Sequence, residues 1–90
     1  MDQFLNPRVI LFTGEGCAPC AAVKPKVKQF AEEHEFEFRE LPVAEHAELA
    51  EQHRVSSVPT LLVQDDTGFL NVRAPGMPAI LHALRNFRAQ

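Results

Sequence analysis

Val9-Ile10-Leu11-Phe12 is a continuous apolar run that stops at Gly14 and Gly16, and it predicts a strand from Arg8 to Thr13 buried on both faces. From Cys17 or Ala18 to about His34 the rhythm changes. Ala21, Val23, Val27, Phe30 and Ala31 recur at mostly helical spacing, leaving Lys24, Lys26, Lys28, Glu32 and Glu33 available to solvent. Pro25 interrupts this helix by removing one hydrogen bond, and a kink is expected about one turn after Cys20. Glu35 to Leu41 alternates as a strand, with Phe36 and Phe38 on one face. A helix over Ala44 to His53 follows, with Ala47, Leu49 and Ala50 as its apolar positions, and Arg54 to Val58 is a loop leading to Pro59. Thr60 to Gln64 is another β-rich run. Asp65-Asp66-Thr67-Gly68 predicts a hairpin turn, Phe69 to Arg73 an antiparallel partner strand, and Ala74-Pro75-Gly76 the end of the sheet. Pro78 fits the first turn of a last helix whose Ile80, Leu81, Leu84 and Phe87 form one apolar face. With Met1 to Pro7 as a short arm, the order is β-α-β-α-β-β-α. It predicts an α/β domain spanning residues 1–90: a four-stranded mixed sheet flanked by three helices, its first two strands joined by a right-handed crossover.

Composition narrows the function classes. Ninety residues suit one small domain, and an apolar fraction of 46% with 23% charged residues is that of a globular chain. A formal net charge of −3 without a basic block argues against nucleic acid as a partner. The N-terminus lacks a positive region followed by an apolar one, and no run approaches the roughly eighteen apolar residues of a membrane span, so a cytoplasmic protein is expected. In that compartment the only two cysteines, Cys17 and Cys20, would stay reduced unless they cycle.

Chemistry concentrates at Cys17-Ala18-Pro19-Cys20. A sulfur at a helix N-terminus faces unpaired N–H groups and the positive end of the macrodipole, which favours thiolate over thiol and makes Cys17 the expected nucleophile. Three residues of helical advance return Cys20 to the same face, near the roughly 5.5 Å Cα separation of a disulfide, so Cys20 is the expected resolving cysteine. A static staple is the bland alternative, but so short a separation closes almost no loop. Zinc held with His34, His46, His53 or His82 is another; the histidine spacings miss the usual finger pattern, and no metal or other cofactor is expected.

A strand, then Cys-x-x-Cys at a helix start, Pro25, Val58-Pro59-Thr60 at a strand start, and Gly76 after the hairpin together resemble the thioredoxin superfamily over roughly Arg8 to Phe87. The resemblance implies that the Val58-Pro59 bond is cis and faces the dithiol, leaving the Val58 N–H and C=O free to pair with an extended substrate segment. It implies a close substrate approach at Gly76, and a substrate surface made of Gly16, Ala18, Pro19, Val58, Pro59 and Gly76. Ala18-Pro19 is similar to the Gly-Pro of thioredoxins rather than the Pro-Tyr of glutaredoxins, and implies a reducing protein with a potential of about −270 mV. The implied activity is thiol-disulfide exchange on protein disulfides, in electron transport and cell redox homeostasis, recharged by a thioredoxin reductase or by glutathione. A monomer is the expected state.

Three departures accompany the likeness. Gly16 stands where thioredoxins carry an aromatic residue, the strand and helix that precede their first core strand are absent, and Leu11 occupies the position of their buried acid. Glu40, sharing strand parity with Phe36 and Phe38, is the candidate to accept the Cys20 proton in its place; a solvated strand end is the alternative. Two further functions compete: a glutaredoxin-like donor fed by glutathione, whose tripeptide-gripping pattern Pro75-Gly76-Met77-Pro78 does not match, and a docking module for which redox turnover is incidental.

Overall fold

The structure, a computed structural model, describes residues 7–67 and 70–87. The sheet has a central apolar strand, β1 (Arg8–Thr13), in which Val9, Leu11 and Phe12 have no solvent exposure and Ile10 has 5%. β1 pairs in parallel with β2 (Glu37–Pro42) and antiparallel with β3 (Thr60–Gln64), which pairs antiparallel with β4 (Leu70–Pro75). The sheet order is β2-β1-β3-β4. Alternation divides β1 between two cores: Val9 and Leu11 pack with Val23, Val27, Phe30, Leu61 and Ile80, while Ile10 and Phe12 pack with Leu62 and Ala50. Each fully buried Leu, Val or Phe contributes about 2 kcal/mol of transfer free energy, which is why this strand specifies the register of its neighbours.

The first core is closed by α1 (Ala18–His34) and α3 (Met77–Asn86), the second in part by α2 (Ala47–Gln52). Helix α1 continues through Pro25 to His34, and Glu35 ends it in the left-handed conformation, φ 59°. Phe36 N–H then donates to Ala31 O at 2.8 Å, which places Phe36 and Phe38 on the α1 side. His34 lies at the end of α1, its ring 4.4 Å from that of Phe30, with Phe36 and Phe87 completing an aromatic cluster.

Boundaries differ from the sequence-based expectation at several places. Strand β2 starts at Glu37 because Glu35 and Phe36 are used to terminate α1. Helix α2 is six residues long rather than running from Ala44 to His53, because the chain after Pro42 turns first: Glu45 N–H donates to Pro42 O and His46 N–H to Val43 O. Strand β4 extends to Pro75, since Ala74 and Pro75 still face Leu61 and Thr60 across the ladder. Phe87, expected on the last helix, lies just past its end and still packs edge-on against Phe30 at 5.2 Å. The expected arm before Pro7, with Phe4, and the Gly68 and Phe69 positions of the hairpin lie outside the described residues; in the described part of that turn, Thr67 N–H and Oγ1 both donate to Asp65 Oδ1.

A candidate dithiol redox site

The C-terminal end of β1 delivers the chain through Gly14, Glu15 and Gly16 to the first turn of α1. Gly16 takes φ +67°, a conformation glycine adopts without the Cβ penalty, and a side chain there would meet nothing within 4 Å. Cys17 then caps the helix. Its backbone is extended, its carbonyl accepts from Ala21 N–H at 3.2 Å, and its Sγ accepts from Cys20 N–H at 3.1 Å. A sulfur in that position receives the stabilisation that helix N-termini give to anions.

Cys17 and Cys20 are joined as a disulfide with a Cα separation of 5.2 Å. Their surroundings are unequal: Cys17 is half-buried, whereas Cys20 is only 4% exposed. Ala18 and Pro19 between them are exposed, with Pro19 in the first turn, where its missing N–H costs nothing.

Val58-Pro59 is a cis peptide at the same end of the sheet, because Thr60 faces Phe12 in the β1–β3 ladder. Among the described residues, neither the N–H nor the C=O of Val58 has a hydrogen-bond partner. The carbonyl of Pro59 accepts from Gly76 N–H at 2.7 Å, and Thr60 Oγ1 donates to Ser57 O at 2.7 Å. Gly76 caps α3 with φ +89°, and this backbone conformation, rather than crowding, is what requires glycine: a Cβ would meet only Pro78 Cδ, at 3.9 Å.

Glu40 lines a groove with Thr13, Gly14, Cys17, Cys20 and Lys24. Its carboxylate accepts from Lys24 Nζ at 2.7 Å and from Thr13 Oγ1 at 3.2 Å. The hydrogen bond from Lys24 holds Glu40 below its ordinary carboxylate pKa; desolvation opposes this, and the charge of Lys24, the Thr13 hydroxyl and the charge of Lys28 add to it. Lys24 was expected at the solvated face, yet it is half-buried and ion-paired. The available signal was its position four residues after Cys20, which puts both side chains on one face of α1. Gly14 lies against Val58, and no feature of the sequence predicts that contact.

The fold and this site together define a thioredoxin-like protein: a vicinal cysteine pair opening a helix beside a cis-proline loop. The chain belongs to the thioredoxin family, whose profile, described as Thioredoxin, matches residues 3–81. Thioredoxin-1 of Saccharomyces cerevisiae is 34% identical over 56 residues, covering 61% of this chain and 54% of the relative, so the matched stretch spans about half the length of that protein. A thioredoxin structure from Fasciola hepatica is 26% identical with a TM-score of 0.73, covering 92% of this chain and 82% of the other. One from Schistosoma mansoni has a TM-score of 0.77 at 20% identity, a likeness of fold, over 97% and 82% of the two chains. Among the described residues, no helix is long and apolar enough to cross a membrane.

Proposed function

We propose that this protein is a thiol-disulfide oxidoreductase that reduces disulfides in partner proteins. The observation that carries the reading is the unequal pair: a half-buried Cys17 sulfur hydrogen-bonded to the Cys20 amide, next to a Cys20 sheltered from solvent. In the reduced state the Cys17 thiolate attacks one sulfur of the substrate disulfide. A mixed disulfide forms, and the other substrate sulfur leaves as a thiolate. Cys20 then loses its proton and attacks Cys17 Sγ, closing the Cys17–Cys20 disulfide and releasing the second substrate sulfur. Two electrons pass to the substrate, whose two sulfurs leave as thiols once each has taken up a proton.

Glu40 is our candidate acceptor for the Cys20 proton. Its carboxylate, like any ordinary one, is ionised at neutral pH, and the groove that Glu40 and Lys24 share with Cys20 gives water a route between sulfur and carboxylate. The Val58 N–H and C=O, unpaired within the described residues, would bind an extended substrate segment on the far side of the sulfur, with Gly16, Ala18, Pro19, Pro59 and Gly76 forming the rest of the contact surface. A thioredoxin reductase is the proposed electron source, and the proposed setting is cytoplasmic electron transport and redox homeostasis, with the protein a monomer.

The test is turbidimetric reduction of insulin by the pure protein, run with a thioredoxin reductase and NADPH in one arm and with glutathione in the other. Turnover in the first arm supports the proposal, turnover confined to the second moves it to a glutathione-linked donor, and silence in both overturns it. If a Cys17→Ser, Cys20→Ser double variant kept the cellular function intact, docking rather than catalysis would be its role.

A further inference from the structure

We infer that Arg73, on β4 and away from the sulfurs, is a positioning residue that sets where the Val58 backbone meets a protein substrate. The inference rests on the disulfide-reductase reading and extends it to the selection of protein over small disulfides. Helix α2 ends with Arg54 in the left-handed conformation, φ 57°, where a glycine would carry no side-chain penalty. Arg54 N–H donates to Glu51 O at 3.0 Å and Val55 N–H to Ala50 O at 2.8 Å, which satisfies two carbonyls of the last turn. The carbonyls of His53 and Arg54 come next, and one guanidinium takes both: Arg73 Nε donates to His53 O at 3.2 Å and Arg73 Nη2 to Arg54 O.

This links the loop before Val58 to the sheet. Arg73 faces Leu62 across the β3–β4 ladder, two residues from the Pro75–Thr60 pair that adjoins Pro59. The 55–58 segment is thereby fixed at both ends, by Arg73 at its start and by Thr60 Oγ1 on Ser57 O at its finish. Gly14 supports it from below. A backbone pairing between substrate and Val58 tolerates only a few tenths of an ångström in donor–acceptor distance, so a loop free to drift loses it. A small disulfide makes no such pairing and needs only an accessible Cys17. The arginine fork reaches two adjacent carbonyls at once, whereas a lysine ammonium on one stem reaches them singly.

The experiment compares wild type, Arg73→Lys and Arg73→Met for insulin reduction and for reduction of a small aromatic disulfide, with amide hydrogen exchange and thermal melts on the same samples. Arg73→Met is expected to raise KM for insulin about fivefold with kcat little changed, and to speed exchange at Arg54 and Val55, the hydrogen-bonded amides where the loop begins, by a similar factor, Arg73→Lys falling between. Small-disulfide reduction should stay at the wild-type rate. Arg73→Lys keeps the charge and the stem, so the comparison survives if Arg73→Met melts early. An unchanged insulin KM in both variants overturns the role of Arg73, as does an equal loss toward the small disulfide or wild-type exchange in the loop. A wild type inert toward insulin would sink the disulfide-reductase reading and this role with it.

Discussion

Gly14 lies directly against Val58: a Cβ built on residue 14 would stand 2.9 Å from Val58 Cγ2, closer than side chains approach in folded proteins. The atom in the way belongs to a β-branched residue, whose stiff χ1 leaves little room to rotate aside. This contact couples the turn after β1 to the cis-proline loop.

Gly14→Ala is expected to push Val58 outward, costing about 1–2 kcal/mol in overpacking and weakening protein-disulfide reduction more than small-disulfide reduction. Chemical denaturation and paired kinetics would check both parts. An unaltered denaturation midpoint would show that the loop yields freely.

The exposure difference between the two sulfurs predicts their order of reaction. In the reduced protein Cys17 should be alkylated by iodoacetamide while Cys20, 4% exposed, remains unmodified. Cys20→Ser should accumulate a mixed disulfide with a substrate protein, detectable as a mass adduct on Cys17. Adducts forming first at Cys20 would reverse the assigned roles.

Glu40→Gln removes the proposed acceptor while leaving the attacking sulfur alone. The expected result is normal formation of the mixed disulfide and resolution slowed about 10- to 100-fold, measured by stopped-flow. Resolution at the wild-type rate would leave water as the acceptor.

The Lys24–Glu40 pair also predicts a pH dependence of stability. The Lys24 hydrogen bond lowers the native pKa of Glu40, so the pair's contribution is complete above the ordinary carboxylate value and is lost as pH falls through the lowered native one. Lys24→Met should cost about 0.5 kcal/mol at pH 7, small because both side chains are partly exposed, and nothing once Glu40 is protonated in both proteins. Urea midpoints measured from pH 7 down to pH 2 would show the two curves converging. A constant gap would place the effect in packing of the lysine stem.

Much of this architecture was legible in the sequence because its signals are local. The apolar run Val9 to Phe12, the helical spacing from Ala21 to Ala31 and the parity of Phe36, Phe38 and Glu40 each record a face turned toward the core. The dithiol was equally plain, since spacing alone brings Cys20 under Cys17. Contacts between distant segments were not legible. Gly14 against Val58, and Arg73 on the carbonyls of His53 and Arg54, depend on ladder registers that no short window encodes. Element starts were less legible for a related reason: the end of α1 at His34 was foreseen, but β2 and α2 begin late because Glu35 and Phe36 are used in terminating α1 and the chain turns after Pro42 before α2. Leu11 illustrates the reverse case: apolar in sequence and fully buried in the structure, it leaves the inner core of the described residues without an acid, and Glu40, which shares a groove with the cysteine pair, comes from the neighbouring strand.

The 5.2 Å Cα separation of the cysteines has a consequence under peroxide stress. A sulfenic acid formed at Cys17 would have a thiol within closing distance and would condense with it, expelling water, before a second equivalent of oxidant could carry it to the irreversible sulfinic state. Because the partner thiol is sheltered, the attack would come at one sulfur only, so the damage that inactivates lone reactive cysteines would here be converted into the same disulfide that a reductant can reopen.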